Sequence, residues 1–87
     1  IIEDEKDKEE LISEIENILN ELTSRQREVI YLRFMQNLSY EEIAELLHIT
    51  PKATRKLNYR ALAQIKERYG DKALILTLLV FYISRQS

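Results

Sequence analysis

The chain has 87 residues, 45% of them apolar and 32% charged, with one Gly, one Pro and no Cys. That length carries one domain around one core. So few turn residues exclude sandwiches and barrels, the absence of thiols excludes disulfide scaffolds and thiolate metal sites, and a single His excludes multi-histidine metal clusters. The composition is that of an all-α protein.

The net charge of −2 hides an asymmetry. Residues 1–24 hold nine acidic residues against Lys6 and Lys8, whereas the remainder holds eleven basic against six acidic. Within 51–69 six bases (Lys52, Arg55, Lys56, Arg60, Lys66, Arg68) face Glu67 alone. Such a stretch is either a solvated helix face or an electrostatic footprint for phosphates. The chain does not begin with Met and shows no basic segment leading into an apolar core, so no signal peptide is expected and the chain reads as a fragment or a processed form; the absence of Cys fits a reducing cytoplasm. The longest apolar run, 73–83, covers roughly 17 Å as a helix, short of the roughly 30 Å bilayer core. No membrane span is expected.

In chain order, residues 1–8 are an acidic charge run expected to fray. From 9 to 22, Leu11, Ile15, Ile18 and Leu22 recur at helical spacing, with Ile12 and Leu19 beside them, and form one apolar stripe. Thr23 with Gln26 forms a capping box that opens a second helix, carried by Val29, Ile30 and Phe34 to about Gln36. Asn37 and Leu38 break the chain. Ser39 and Glu42 form a second capping box, with Leu38 and Ile43 as a hydrophobic staple, and open a third helix reaching about Leu47. His48 and Ile49 turn the chain, and Thr50 followed by Pro51 opens a fourth helix. It runs to Arg68 or Tyr69 and stops at Gly70, expected to adopt the left-handed helical conformation. Asp71 is placed to cap a fifth segment, 72–84. Its β-branched and aromatic residues leave a strand open, but a lone strand has no sheet to join. The expected architecture is a four- to five-helix domain over 9–69 with a hydrophobic C-terminal helix over 70–87.

A short capped helix, a turn at 48–50 and a longer basic helix at 51–69 have the layout of a helix-turn-helix. Ala44 suits the close approach of the two helices. Thr54, Leu57, Ala61 and Ile65 fall on one face, placed to pack on Ile43, Leu46 and Leu47. Lys52, Arg55, Lys56, Tyr59 and Arg60 are then directed outward, in the part of such a helix that enters the major groove. Arg pairs bidentately with a guanine edge, while Lys and Tyr more often hold phosphates. Chemistry finds no footing: His48 lacks a partner, Glu42 is explained by capping, and Glu41 and Glu45 suit a helix dipole. No Ser/His/Asp set or phosphate loop is present. No enzyme activity, metal or cofactor is expected.

The stretch LTSRQREVIYLRFMQNLSYEEIAELLHITPKATRKLNYRAL, residues 22–62, resembles region four of bacterial RNA polymerase sigma factors. The resemblance rests on Leu22-Thr23, Arg25, Arg27-Glu28-Val29-Ile30, Leu32-Arg33-Phe34, Leu38-Ser39-Tyr40-Glu41-Glu42-Ile43-Ala44, Leu47, Ile49-Thr50 and Ala61-Leu62, in order and at the right spacing. Length, charge and tail look most like the compact extracytoplasmic-function group. Two positions depart: His48 stands where Gly is common, and Thr54-Arg55-Lys56-Leu57-Asn58 carries its apolar residue one place early.

The resemblance implies a two-sided adaptor. Lys52, Arg55 and Lys56 would face base edges of the minus-thirty-five promoter element, with Arg60 on the backbone and Arg33 and Ser39 adding phosphate contacts. Leu11, Ile15, Val29, Ile30 and Phe34 would grip the flap of the polymerase β subunit, or else form plain core. The tail is expected to pack on the domain's own helices or to meet a protein, whether an anti-sigma factor, a second copy or a further sigma domain, with Leu78 and Phe81 as test positions. The alternative is a LuxR-like regulator domain binding operator DNA as a dimer.

Overall fold

A computed structural model describes residues 5–86 and places them in α1 (Glu5–Asn20), α2 (Ser24–Ile30), a π-helical turn (Tyr31–Met35), α3 (Tyr40–Leu47) and α4 (Pro51–Gln86). No strand occurs among the described residues, so the all-α expectation holds. α1 begins at Glu5, ahead of the start expected at residue 9. Glu and Lys are good helix formers, and acids in the first turn suit the helix dipole. Residues 1–4, also expected to fray, lie outside the described residues.

The capping boxes set the boundaries. Thr23 Oγ1 accepts from the Gln26 amide at 3.1 Å, and the Thr23 amide donates to Gln26 Oε1 at 3.0 Å. α2 then widens into the π-turn, where the Gln36 amide donates to the Tyr31 carbonyl, five residues back. Asn37, at φ 55°, reverses the chain ahead of α3.

α4 is two helices meeting at a corner. Gly70 has φ 88° and ψ 172°, a conformation open essentially to glycine alone. It is not the left-handed helical pair expected from the sequence, so the chain turns and resumes helix at once. Asp71 pairs with Lys66 across the corner at 3.5 Å, where a helix cap was expected. The arm beyond the corner, 71–86, packs on the rest of the domain. Ala73 and Leu74 join a core of Ile18, Leu22, Ile30, Ala61 and Ile65, with Leu19, Phe34, Met35 and Leu62 around it. Thr77 is fully buried, its hydroxyl donating to the Ala73 carbonyl at 2.8 Å. The Phe81 side chain lies outside the described residues. Among the described residues no helix is long and apolar enough to cross a membrane.

Candidate nucleic-acid interface

The local sequence fixes where the first half of α4 points. Ser39 Oγ accepts from the Glu42 amide at 3.1 Å, and the Ser39 amide donates to Glu42 Oε1 at 2.9 Å. Hydrogen bonding to the carboxylate, first from the Ser39 amide and then from the Ser39 hydroxyl, holds the Glu42 carboxyl below its ordinary value. His48 closes α3 in the left-handed region at φ 57° and ψ 43°, which His tolerates better than bulkier or branched residues. Thr50 Oγ1 accepts from the Ala53 amide at 3.0 Å, capping α4 beside Pro51.

The buried stripe of α4 runs Thr54, Asn58, Ala61, Ile65. Leu57, expected in that stripe, is half-buried, and Leu46, expected to pack beneath it, is 58% exposed. Spacings of four, three and four follow a helix as well as the expected three, four and four, and the facing residues decide between them. Ile43 and Ala44 are buried on α3, and Asn58 lies buried in the same α4 stripe as Thr54, Ala61 and Ile65.

Lys52, Arg55, Lys56, Tyr59 and Arg60 are all exposed on the outer face. Among the described residues the ion pairs are Arg25–Glu28, Lys66–Asp71 and Arg68–Glu21. The basic stretch therefore divides. Its distal cations serve the fold: Arg68 pairs with Glu21, which also accepts from the Tyr69 hydroxyl and through its carbonyl from Gln64. Its proximal cations, Lys52, Arg55, Lys56 and Arg60, have no acidic partner among the described residues.

Arg33 and Ser39 sit at the edge of this face, half-buried. Arg33 Nη1 donates to the Leu38 carbonyl at 2.9 Å and braces the loop before α3. A guanidinium has five donors, so that bond leaves others unused. The sequence reading missed two neighbours, Tyr40 and Asn58. The Arg33 guanidinium carbon lies 4.9 Å from the Tyr40 ring centroid and that of Arg55 lies 5.2 Å from it, both within cation–π range. Asn58 Nδ2 donates to Tyr40 Oη at 3.0 Å, while Asn58 Oδ1 is buried without a partner. An unmet buried acceptor costs about 1–3 kcal/mol. The available signal was Asn58's place in the stripe set by Thr54 and Ala61.

The five residues expected to grip a polymerase flap do not form one groove. Val29 and Ile30 are 0% and 1% exposed, and Ile15 is also buried. All three are core, but Ile15 still lines a cleft. Leu11 and Phe34 are half-buried and line separate clefts beside the C-terminal arm. Leu11 and Ile15 share one of about 310 Å³ with Tyr69, Lys72, Ala73 and Leu76, and Phe34 shares the other with Arg33, Asn37 and Tyr82.

Residues 12–65 match the family model described as sigma-70, region 4. The chain belongs to the sigma-70 region 4 family. The match takes in most of α1 and ends at Ile65, so the C-terminal arm lies beyond it. Neither the curated proteins nor the solved structures gave a match. A sigma-70 region 4 domain binds DNA at the minus-thirty-five element, works with the RNA polymerase core in transcription initiation, and belongs to no enzyme family. Among the described residues no cluster of His, Asp and Glu is built to hold a metal.

Proposed function

We propose that this chain is the promoter-reading domain of a sigma factor of the compact extracytoplasmic-function type, acting in the bacterial cytoplasm. Lys52, Arg55 and Lys56 read base edges, and Tyr59 and Arg60 hold the backbone. Arg33 and Ser39 add phosphate contacts from the adjoining helix ends. The observation that carries this reading is the division of cations along 51–69, where Lys52, Arg55, Lys56 and Arg60 share the outward face without acidic partners among the described residues while Lys66 and Arg68 are paired. Phosphates supply the countercharge that the fold withholds. Arg55→Ala should relax base preference and cost about 1–3 kcal/mol of binding, whereas Arg60→Ala should weaken all sequences evenly. Selection from randomised duplexes reads both, and an Arg55→Ala variant with unchanged preference contradicts the assignment.

Of the flap-grip residues, Leu11 with Ile15 in one cleft and Phe34 in another have surface left to offer, and the C-terminal arm lies beside both clefts. Calorimetry with an isolated β-flap segment should show micromolar binding that Phe34→Ala removes. No binding, together with a dimer that holds palindromic DNA, favours the LuxR-like alternative. The arm also presents Ile75, Leu79 and Tyr82 outward at helical spacing, a face suited to a second copy. Light scattering should then show mass rising with concentration and falling back with Ile75→Glu, and a monomer at high concentration contradicts it.

A further inference from the structure

Tyr40 occupies the junction of three elements. It is the first residue of α3, Arg33 reaches it from the π-turn, and Arg55 and Asn58 reach it from α4. We infer that Tyr40 is a positioning residue for Arg55, fixing the aim of the base-reading guanidinium before DNA arrives. The inference rests on the promoter-reading assignment above.

An exposed arginine on a helix samples many rotamers, and ordering it on binding costs entropy. A ring face 5.2 Å from the guanidinium carbon narrows that ensemble. The ring is held in turn. The bond from Asn58 Nδ2 to the phenol oxygen ties its far end to the buried seam, and Asn58 lies one helical turn from Arg55 on the same helix. Arg33, itself fixed by the Leu38 carbonyl, adds a second cation to the same ring. Neither guanidinium has a carboxylate partner among the described residues, so stacking leaves the Arg55 charge unneutralised and its remaining donors open. Tyr40 thus links the rotation of α4 on α3 to the direction of one reading side chain.

The test uses the full chain and duplexes selected from a randomised pool. Tyr40→Leu should reduce discrimination at the base pair read by Arg55 by roughly tenfold, while Tyr40→Phe, which keeps the ring, should retain most of it. In an Arg55→Ala background, Tyr40→Leu should change discrimination no further. In the free protein, NMR should show the Arg55 Nε–H resonance moved upfield by the ring in the wild type and in Tyr40→Phe, and relaxed in Tyr40→Leu. Full discrimination in a folded Tyr40→Leu variant overturns the inference, and so does an equal loss in the Arg55→Ala background. If Tyr40→Leu does not fold, Tyr40→Phe with the wild-type spectrum decides: an Arg55 resonance unmoved by the ring overturns it. A wild-type chain that selects no sequence refutes the promoter reading instead, and the same resonance then decides the stacking separately.

Discussion

At Gly70 the limit on substitution comes from the backbone and not from space. A Cβ built there meets nothing within 4 Å, yet φ of +88° strains any other residue. Gly70→Ala should therefore cost about 1–3 kcal/mol, read as a lowered Tm, and should loosen the packing of Ala73 and Leu74. An unchanged Tm would show that the corner is not needed. Asn58 behaves in the opposite sense. Replacing it removes the cost of the partnerless Oδ1, so Asn58→Leu should leave thermal stability equal or higher while weakening base discrimination slightly, as loss of the same Tyr40 hydroxyl bond does in Tyr40→Phe. Loss of stability without loss of discrimination would contradict that. The outward cations were legible in the sequence because charge at helical spacing marks a face. The inward amide was missed because Thr54–Leu57 and Thr54–Asn58 are both acceptable helical steps, and which is buried depends on α3. Val29 and Ile30 show the same limit: periodicity tells that they face inward, not how much covers them.

Among the elements, α3 depends most on its first turn. It has eight residues, too short to persist alone, so the reciprocal bonds of Ser39 and Glu42 matter. Ser39→Ala should cost about 1 kcal/mol and, by fraying the residue that carries the Tyr40 ring, weaken DNA binding as well. The folded carboxyl of Glu42 lies below its ordinary value, so its contribution is complete above the ordinary glutamate value. It is lost as pH falls through the lowered one. A stability profile should show this loss on acidification, and Glu42→Gln should flatten it. Both capping boxes and both helix starts were readable because caps are local chemistry. The π-turn was not, since its widened hydrogen bonds carry no residue signature. The Gly70 corner was half-readable: a lone glycine announces a break, but the direction taken afterwards is set by the core that receives Ala73, Leu74 and Thr77.

Over the whole molecule, charge is separated as the sequence tally suggested. Exposed acids crowd α1, at Glu9, Glu10, Glu14 and Glu16, and Lys52, Arg55, Lys56 and Arg60, without acidic partners among the described residues, crowd the start of α4. A chain of net charge −2 can therefore bind a polyanion, because the local field and not the total decides. The role of the C-terminal arm was the least legible part. An apolar helix must be covered, yet composition alone does not distinguish its own domain from a partner; here its inner side joins the core and its outer side keeps Ile75 and Leu79 exposed. The central claim is that the outward face of α4 reads promoter DNA. Its most direct test is a salt series of binding isotherms on a minus-thirty-five promoter duplex and a scrambled duplex of equal composition. If three to five phosphates are neutralised, log affinity should fall against log salt with a slope of roughly −3 to −4.5, with the promoter duplex preferred throughout. A flat salt dependence, or equal affinity for the two duplexes, would contradict it.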